Sequence, residues 1–161
     1  MSHKVSVIFV CLGNICRSPT AHAVFRDLVE KEGLVADILI DSAGTASWHK
    51  GKTADRRAIQ TAQNRGIDMM DLRSRPVDMG DLMTFDYVLA MDYANYDDLK
   101  QMALPEHYSK IKLFLDFADE VPEDEVPDPY YGGPQGFDHV FDLVTAASHG
   151  LLLEIKARLG T

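Results

Sequence analysis

An α/β fold built on a parallel sheet is the class this sequence predicts, and three observations carry the prediction. Short β-branched and aromatic runs alternate along the chain with stretches of helical periodicity, the pattern of βαβ units. The first run, "VSVIFV" at 5–10, is β-branched and aromatic apart from Ser6 and has the length expected of a strand buried on both faces. The chain has 161 residues, 46% of them apolar and 25% charged, which fits one globular domain over 1–161 with a sizeable core.

Each element follows from local pattern. After the first strand, Ala21, Val24, Phe25, Leu28 and Val29 recur at three- and four-residue spacings from Ser18 onward, with Gly33 as a stop. "DILIDS" (37–42) is a second strand and "ADRRAIQTAQNRG" (54–66) a helix with Ala58, Ile59 and Ala62 on one side. "FDYVLAMD" (85–92) gives a third strand, then a helical stretch to about Met102, and "KIKLFLDF" (110–117) gives a fourth strand. An acidic, proline-containing loop fills 118–136, and apolar residues at 137, 140, 141, 144, 151, 152 and 155 mark a long amphipathic closing helix over 137–159. In such a sheet ligands bind beyond the carboxyl ends of the strands, where the strand order switches, and Cys11 directly follows strand one.

Charge and cysteine usage narrow the function classes. A formal net charge of −9 argues against nucleic acid or an anionic membrane as partner. No apolar stretch approaches the roughly 20 residues of a bilayer span, and Cys11 and Arg17 fall where a signal peptide would need small residues. Two cysteines with four residues between them make no disulfide framework, so a cytoplasmic domain with free thiols is expected, monomeric or weakly dimeric. The six histidines lack metal-ligand spacing; no metal or cofactor is expected, and His22 is expected on a solvated helix face.

The stretch "CLGNICRSP" (11–19) carries the chemistry. Gly13 and Asn14 are the residue types that most readily take left-handed backbone angles, and alternating handedness turns successive N–H groups into an anion-sized nest over 12–18. Ser18 can cap the following helix and could also donate to the Cys11 sulfur, Pro19 suits the helix's first turn, and the positive end of the helix dipole then faces the same hollow. Leu12, Gly13, Asn14, Ile15, Cys16, Arg17 and Ser18 are the expected phosphate-binding residues. Cys11 at the floor, among N–H donors and a guanidinium, has surroundings that stabilise a thiolate nucleophile. Arg17 presents a planar fork able to grip two phosphate oxygens. Free cysteines are often buried small hydrophobes, yet here strand, turn, arginine and helix start all agree on one site.

Attack on a phosphate ester expels an alkoxide or phenoxide, so a general acid is needed on a loop that reaches the strand edge. "VPDPYYGG" (126–133) offers Asp128 between two prolines, with Tyr130 and Tyr131 beside it to wall a slot for a phenyl ring. Its neighbours Asp119, Glu120, Glu123, Asp124 and Glu125 read as a solvated acidic loop.

With those residues in view, the chain resembles the low-molecular-weight protein tyrosine phosphatases. The resemblance runs from "VSVIFVCLGNICRSPTA" through "DSAGT…W" (41–48) and "TFDYVLAMD" (84–92) to "DPYYGG" and the closing helix. It implies a flavodoxin-like four-stranded parallel sheet with helices on both faces. It implies catalysis by Cys11, Arg17 and Asp128 through a cysteinyl-phosphate, with phosphotyrosine-containing proteins as partners and inorganic phosphate as product. It further implies bracing of the loop by Asn14, Ser18 and Ser42, and substrate walls from Leu12, Trp48, Tyr130 and Tyr131. Cys16 would be the redox partner of Cys11, forming a reversible disulfide after peroxide attack; the alternative is simple packing. Two departures stand out: Leu72 replaces a histidine common in the family, so part of the brace is missing or supplied differently, and His22 replaces a glutamate.

Rival functions are separable by residue. Arsenate reductases of this fold need further cysteines, which the chain lacks. Phosphoarginine phosphatases typically have threonine before the second cysteine, where this chain has the apolar Ile15. A phosphate-binding module without turnover predicts loss of nucleophile or acid, and both are present.

Overall fold

A computed structural model describes residues 3–130 and 132–161. Its sheet has four parallel strands, β1 (Val5–Cys11), β2 (Ile38–Gly44), β3 (Tyr87–Ala90) and β4 (Ile111–Leu113), in the order β2-β1-β3-β4. β1 is therefore central, and the order reverses between it and β3. Cys11 ends β1 at that switch point, paired in register with Gly44.

Alternation along β1 divides the core into two layers. Val7, Phe9 and Cys11 face a cluster with Phe25 and Val29 of α1 (Arg17–Lys31) and Val144, Leu151 and Ile155 of α5 (Pro134–Leu159). Phe9 sits edge-on to both Phe25 and Phe114, at centroid distances of 5.8 and 5.0 Å. Ile8 and Val10 face the opposite layer, with Leu82 of α3 (Met79–Thr84) and Leu99 of α4 (Tyr93–Met102). α2 (Arg56–Asn64) packs its buried Ala58 and Ala62 toward α5. Helices thus cover both faces, which is why the central strand β1 is buried along nearly all its length.

Several elements differ from the sequence expectation; β2, for one, runs 38–44 rather than 37–42. The third strand is the shorter 87–90. The fourth is only 111–113, because Phe114–Phe117 turns into a 3₁₀ segment against α5. That approach is so close that a Cβ on Gly150 would lie 1.8 Å from the Phe117 carbonyl oxygen. α3 was not expected: six residues are too few for periodicity, and a reciprocal Asp78–Asp81 capping box starts it instead. α5 begins at Pro134 rather than 137.

Candidate active site

The loop from Cys11 into α1 is held by its carbonyls. Thr45 N–H donates to Cys11 O and Ala46 N–H to Leu12 O, both at 2.9 Å. Ser74 Oγ donates to Gly13 O at 3.0 Å, and Asp55 N–H donates to Ile15 O at 2.8 Å. Within a planar trans peptide the N–H points opposite to its C=O. Tying these carbonyls outward therefore turns the N–H groups of Leu12, Gly13, Asn14 and Cys16 toward the hollow. Gly44 permits the close fit, since a Cβ there would meet Leu12 O at 2.7 Å.

Asn14 alone takes the left-handed backbone expected of the Gly-Asn pair, at φ 55°; Gly13 has an ordinary negative φ. Asn14 is buried, and its two amide atoms are both used. Nδ2 donates to Ser18 Oγ at 2.7 Å, and Oδ1 accepts from Arg75 N–H at 3.0 Å. Arg75 is itself clamped by Asp41 at 2.9 Å and by both oxygens of Asp81 at 2.9 and 3.0 Å.

Ser18 is not the helix cap that its position suggested. α1 starts at Arg17 with Cys16 as N-cap and no side-chain cap, because Ser18 Oγ is drawn inward to the sulfur of Cys11, 3.0 Å away. Ser18 N–H also points at that sulfur, at 3.5 Å, so the helix N-terminus faces the Cys11 sulfur as expected. Ser18 Oγ lies 3.3 Å from Ala43 O as a second acceptor.

Arg17 is 3% exposed, and its Nη1 donates to Asp92 Oδ2 at 2.6 Å and to Val126 O at 3.1 Å. Its Nη2 lies 3.7 Å from Asp128 Oδ2. Burial opposes the guanidinium charge, but Cys11, Asp92 and Asp128 outweigh it and raise its pKa further. Asp128 Oδ1 accepts from Tyr130 N–H at 3.0 Å, which fixes the carboxylate within the Pro-Asp-Pro turn.

These groups enclose a cavity of about 280 Å³. Cys11, Leu12, Gly13, Ile15, Cys16 and Arg17 form its floor and sides, and Trp48, His49, Asp128 and Tyr130 its mouth. Every expected wall residue described is there, although Trp48 is 71% exposed and covers the mouth only at its edge. Tyr131 lies outside the described residues. Asn14 and Ser18 brace the loop from behind, whereas Ser42 Oγ is engaged by His22 Nδ1 at 3.0 Å and acts one step away, beside Ala43.

His22 is a correction: it is 8% exposed, not solvated, and burial followed by the charge of Arg26 lowers its pKa to about 4. Leu72 packs against the core beside α1, and Ser74 and Arg75 of the same segment supply the brace. Burial, helped by Asp55, Cys11 and Asp128, pushes the Cys16 thiol well above the usual range, so it is a neutral thiol. Among the described residues no group of three or more His, Cys, Asp or Glu is arranged to hold a metal. None of the described helices is long and apolar enough to cross a membrane.

Sequence reasoning missed Asp92, Ser74, His49 and His22. Asp92 had a signal, an acid placed directly after the strand run that neighbours β1; the other three had none without the fold.

Comparison with known proteins agrees with this geometry. The family model for low molecular weight phosphotyrosine protein phosphatase matches residues 6–160. The low molecular weight protein-tyrosine-phosphatase YfkJ of Bacillus subtilis is 42% identical over 152 residues, 94% of this chain and 96% of that protein. A protein tyrosine phosphatase of Entamoeba histolytica, crystallised with Hepes in its active site, superposes with a TM-score of 0.91 at 42% identity, covering 97% of this chain and 98% of its own. A Drosophila arginine phosphatase also superposes, with a TM-score of 0.86 at 32% identity over 93% of this chain and 97% of its own.

Proposed function

Since the chain belongs to the low molecular weight phosphotyrosine protein phosphatase family of phosphoric monoester hydrolases, we propose that it hydrolyses phosphotyrosine in proteins through a cysteinyl-phosphate. The observation that carries this is the convergence of Cys11, Arg17 and Asp128 on one cavity whose floor is lined by backbone N–H groups. Cys11 Sγ attacks phosphorus in line with the ester oxygen, and Asp128 gives that oxygen a proton as the phenolate leaves. Asp128 then takes a proton from water, which displaces Cys11 and releases inorganic phosphate. Arg17 and the loop amides hold the three equatorial oxygens throughout, where stabilisation of phosphoryl transfer mainly lies. Ser18 Oγ donates to the departing thiolate in the second step.

Two further parts belong to the proposal. Peroxide oxidises Cys11 to a sulfenic acid, and Cys16 condenses with it to a disulfide, releasing water and sparing Cys11 from terminal oxidation. Ile15 and Tyr130 on the cavity wall suit a phenyl ring better than a charged guanidinium, which favours phosphotyrosine over phosphoarginine.

The deciding experiment measures phosphate release from a phosphotyrosine peptide and from phosphoarginine, with wild type and Cys11→Ser. Tyrosine-selective turnover lost in the variant is expected. A preference for phosphoarginine would keep the chemistry and overturn the role of Ile15. Phosphate bound without turnover on either substrate would make this a binding module.

A further inference from the structure

The segment that brings Trp48 and His49 to the mouth of the cavity is rich in cations, in a chain that is otherwise acidic. Residues 47–57 carry Lys50, Lys52, Arg56 and Arg57 against a single acid, Asp55, while the whole chain has a formal net charge of −9. All four cations are exposed.

Hydrogen bonds fix this segment to the loop. The ring of His49 would lie 3.1 Å from a Cβ on Gly13, so it abuts the phosphate loop directly. Lys52 N–H donates to His49 O at 2.9 Å, and Ser74 N–H donates to Lys52 O at 2.9 Å, while Ser74 Oγ holds Gly13 O. Arg73 pairs with Thr53 across an antiparallel bridge, which adds a third exposed cation beside Lys50 and Lys52. At the other end Asp55 N–H is bonded to Ile15 O, and the Arg57 guanidinium lies 5.4 Å from the centre of the Tyr130 ring on the cavity wall.

Carboxylate pairing does not quench this charge. Arg57 is bridged to Asp55 at 3.0 Å, and Arg73 donates only to the carbonyls of Met70 and Leu72. Lys50, Lys52 and Arg56 have no carboxylate partner among the described residues, although the surface supplies acids to Arg26, Arg65, Lys31 and Lys156 elsewhere. Unpaired cations grouped beside an anion-binding cavity raise the local concentration of an anionic partner against an unfavourable overall field.

We infer that the rim formed by Lys50, Lys52, Arg73 and Arg56 is a peptide-recognition surface for acidic residues flanking the phosphorylated tyrosine. This rests on the phosphatase function proposed above and names its substrate class: phosphotyrosine segments rich in Asp or Glu. The cavity takes the phosphorylated ring, and the rim takes the flanking carboxylates.

The test compares kcat/KM on three phosphotyrosine peptides with the same centre and with flanks of Glu, Ser or Lys, for wild type and for Lys50→Glu/Lys52→Glu. Exposed pairs are individually weak, so two or three of them should favour the Glu-flanked over the Ser-flanked peptide about tenfold at low salt. That ratio should collapse towards one near 0.5 M salt, where screening is strong. In the double variant the order should invert, and because the readout is a ratio within one protein, any loss of folded enzyme cancels. Equal rates on all three peptides, or a preference that survives the charge reversal, overturns the rim while leaving the phosphatase function standing. Absence of turnover on every peptide, with wild type, overturns the phosphatase function and the rim with it.

Discussion

Asp92 Oδ2 lies 2.6 Å from Arg17 Nη1, and this pair fixes the guanidinium that lines the cavity. Asp92 does two jobs, because its other oxygen caps α4 by accepting from Asn95 N–H at 2.7 Å. Asp92→Asn keeps a cap and removes the charge that orients Arg17, so kcat/KM should fall about 10- to 100-fold with little change in thermal midpoint. Asp92→Ala should lose the same activity and about 1 kcal/mol of stability as well. Steady-state kinetics beside thermal melts of both variants would separate the two jobs; equal midpoints would refute the capping role.

Among the described residues that line the cavity Asp128 is the only carboxylate, and Tyr130 N–H holds it there. Replacing it with Asn preserves shape and removes the proton donor. For a phenolate leaving group the loss in kcat/KM, which reports the steps up to its departure and not the later hydrolysis, should be about 100-fold or more. A nitrophenolate needs less protonation to leave, so the deficit should shrink on that substrate. A deficit independent of leaving group would show that Asp128 positions substrate instead of donating a proton.

Much of this was legible in the sequence because the relevant signals are local. The run 5–10, the Gly-Asn turn, Arg17 and Ser-Pro lie within fifteen residues of one another, and the strand-to-helix geometry follows from them. Asp128 was legible through its two prolines. The contacts that hold the loop were not, since Ser74, Arg75, Thr45 and Asp55 reach it from 34 to 61 residues away, and no local pattern marks a residue that bonds so distant a partner. Ser18 was legible in half: a serine at a helix start reads as a cap, which it is not, whereas its expected reach to the Cys11 sulfur is what the structure has. His22 misled because α1 is buried on more of its circumference than its apolar residues indicate; Thr20 and Ser18 are buried too.

His22 makes stability depend on pH in a definite direction. Its pKa is lowered from 6.5 to about 4 in the folded chain, so the unfolded chain binds a proton first as pH falls. Its contribution is fully present above about pH 6.5 and is lost as pH falls from 6.5 towards 4, in total roughly 3 kcal/mol. His22→Asn, which can still reach Ser42 from the δ position, should flatten the slope of stability against pH over that window even if it lowers stability at every pH. Urea titrations at half-unit intervals would show it, and parallel slopes for the two proteins would refute the assignment.

The two cysteines should react very differently. Burial together with the nearby negative charges keeps Cys16 a neutral thiol, and Cys11 sits at the cavity floor against the helix N-terminus. Iodoacetamide at pH 7 should therefore alkylate Cys11 and leave Cys16 unmodified, and inorganic phosphate should slow the reaction. Fragment mass spectrometry locates the adduct. In Cys11→Ser, labelling of Cys16 should stay at least about tenfold slower than that of Cys11 in wild type; comparable rates would mean that Cys16 is not protected.

Asn14 combines a left-handed backbone with a two-ended hydrogen bond, and the two contributions can be separated. At φ 55° any residue with a Cβ is strained unless its side chain compensates, as Asn14 does through Ser18 Oγ and Arg75 N–H. Asn14→Gly removes the side-chain bonds but keeps the backbone free to adopt the turn. Asn14→Ala removes the bonds and adds strain of about 1–2 kcal/mol. Both should lose activity, because Ser18 is no longer held against Cys11 and the peptide link to Arg75 is cut. The alanine variant alone should show the extra loss of stability. If the glycine variant kept wild-type kcat, bracing by the Asn14 side chain would be irrelevant to catalysis and only its backbone angle would matter. If both variants melted together, the left-handed angle would carry no strain, and the hydrogen bonds would be the whole of what Asn14 contributes.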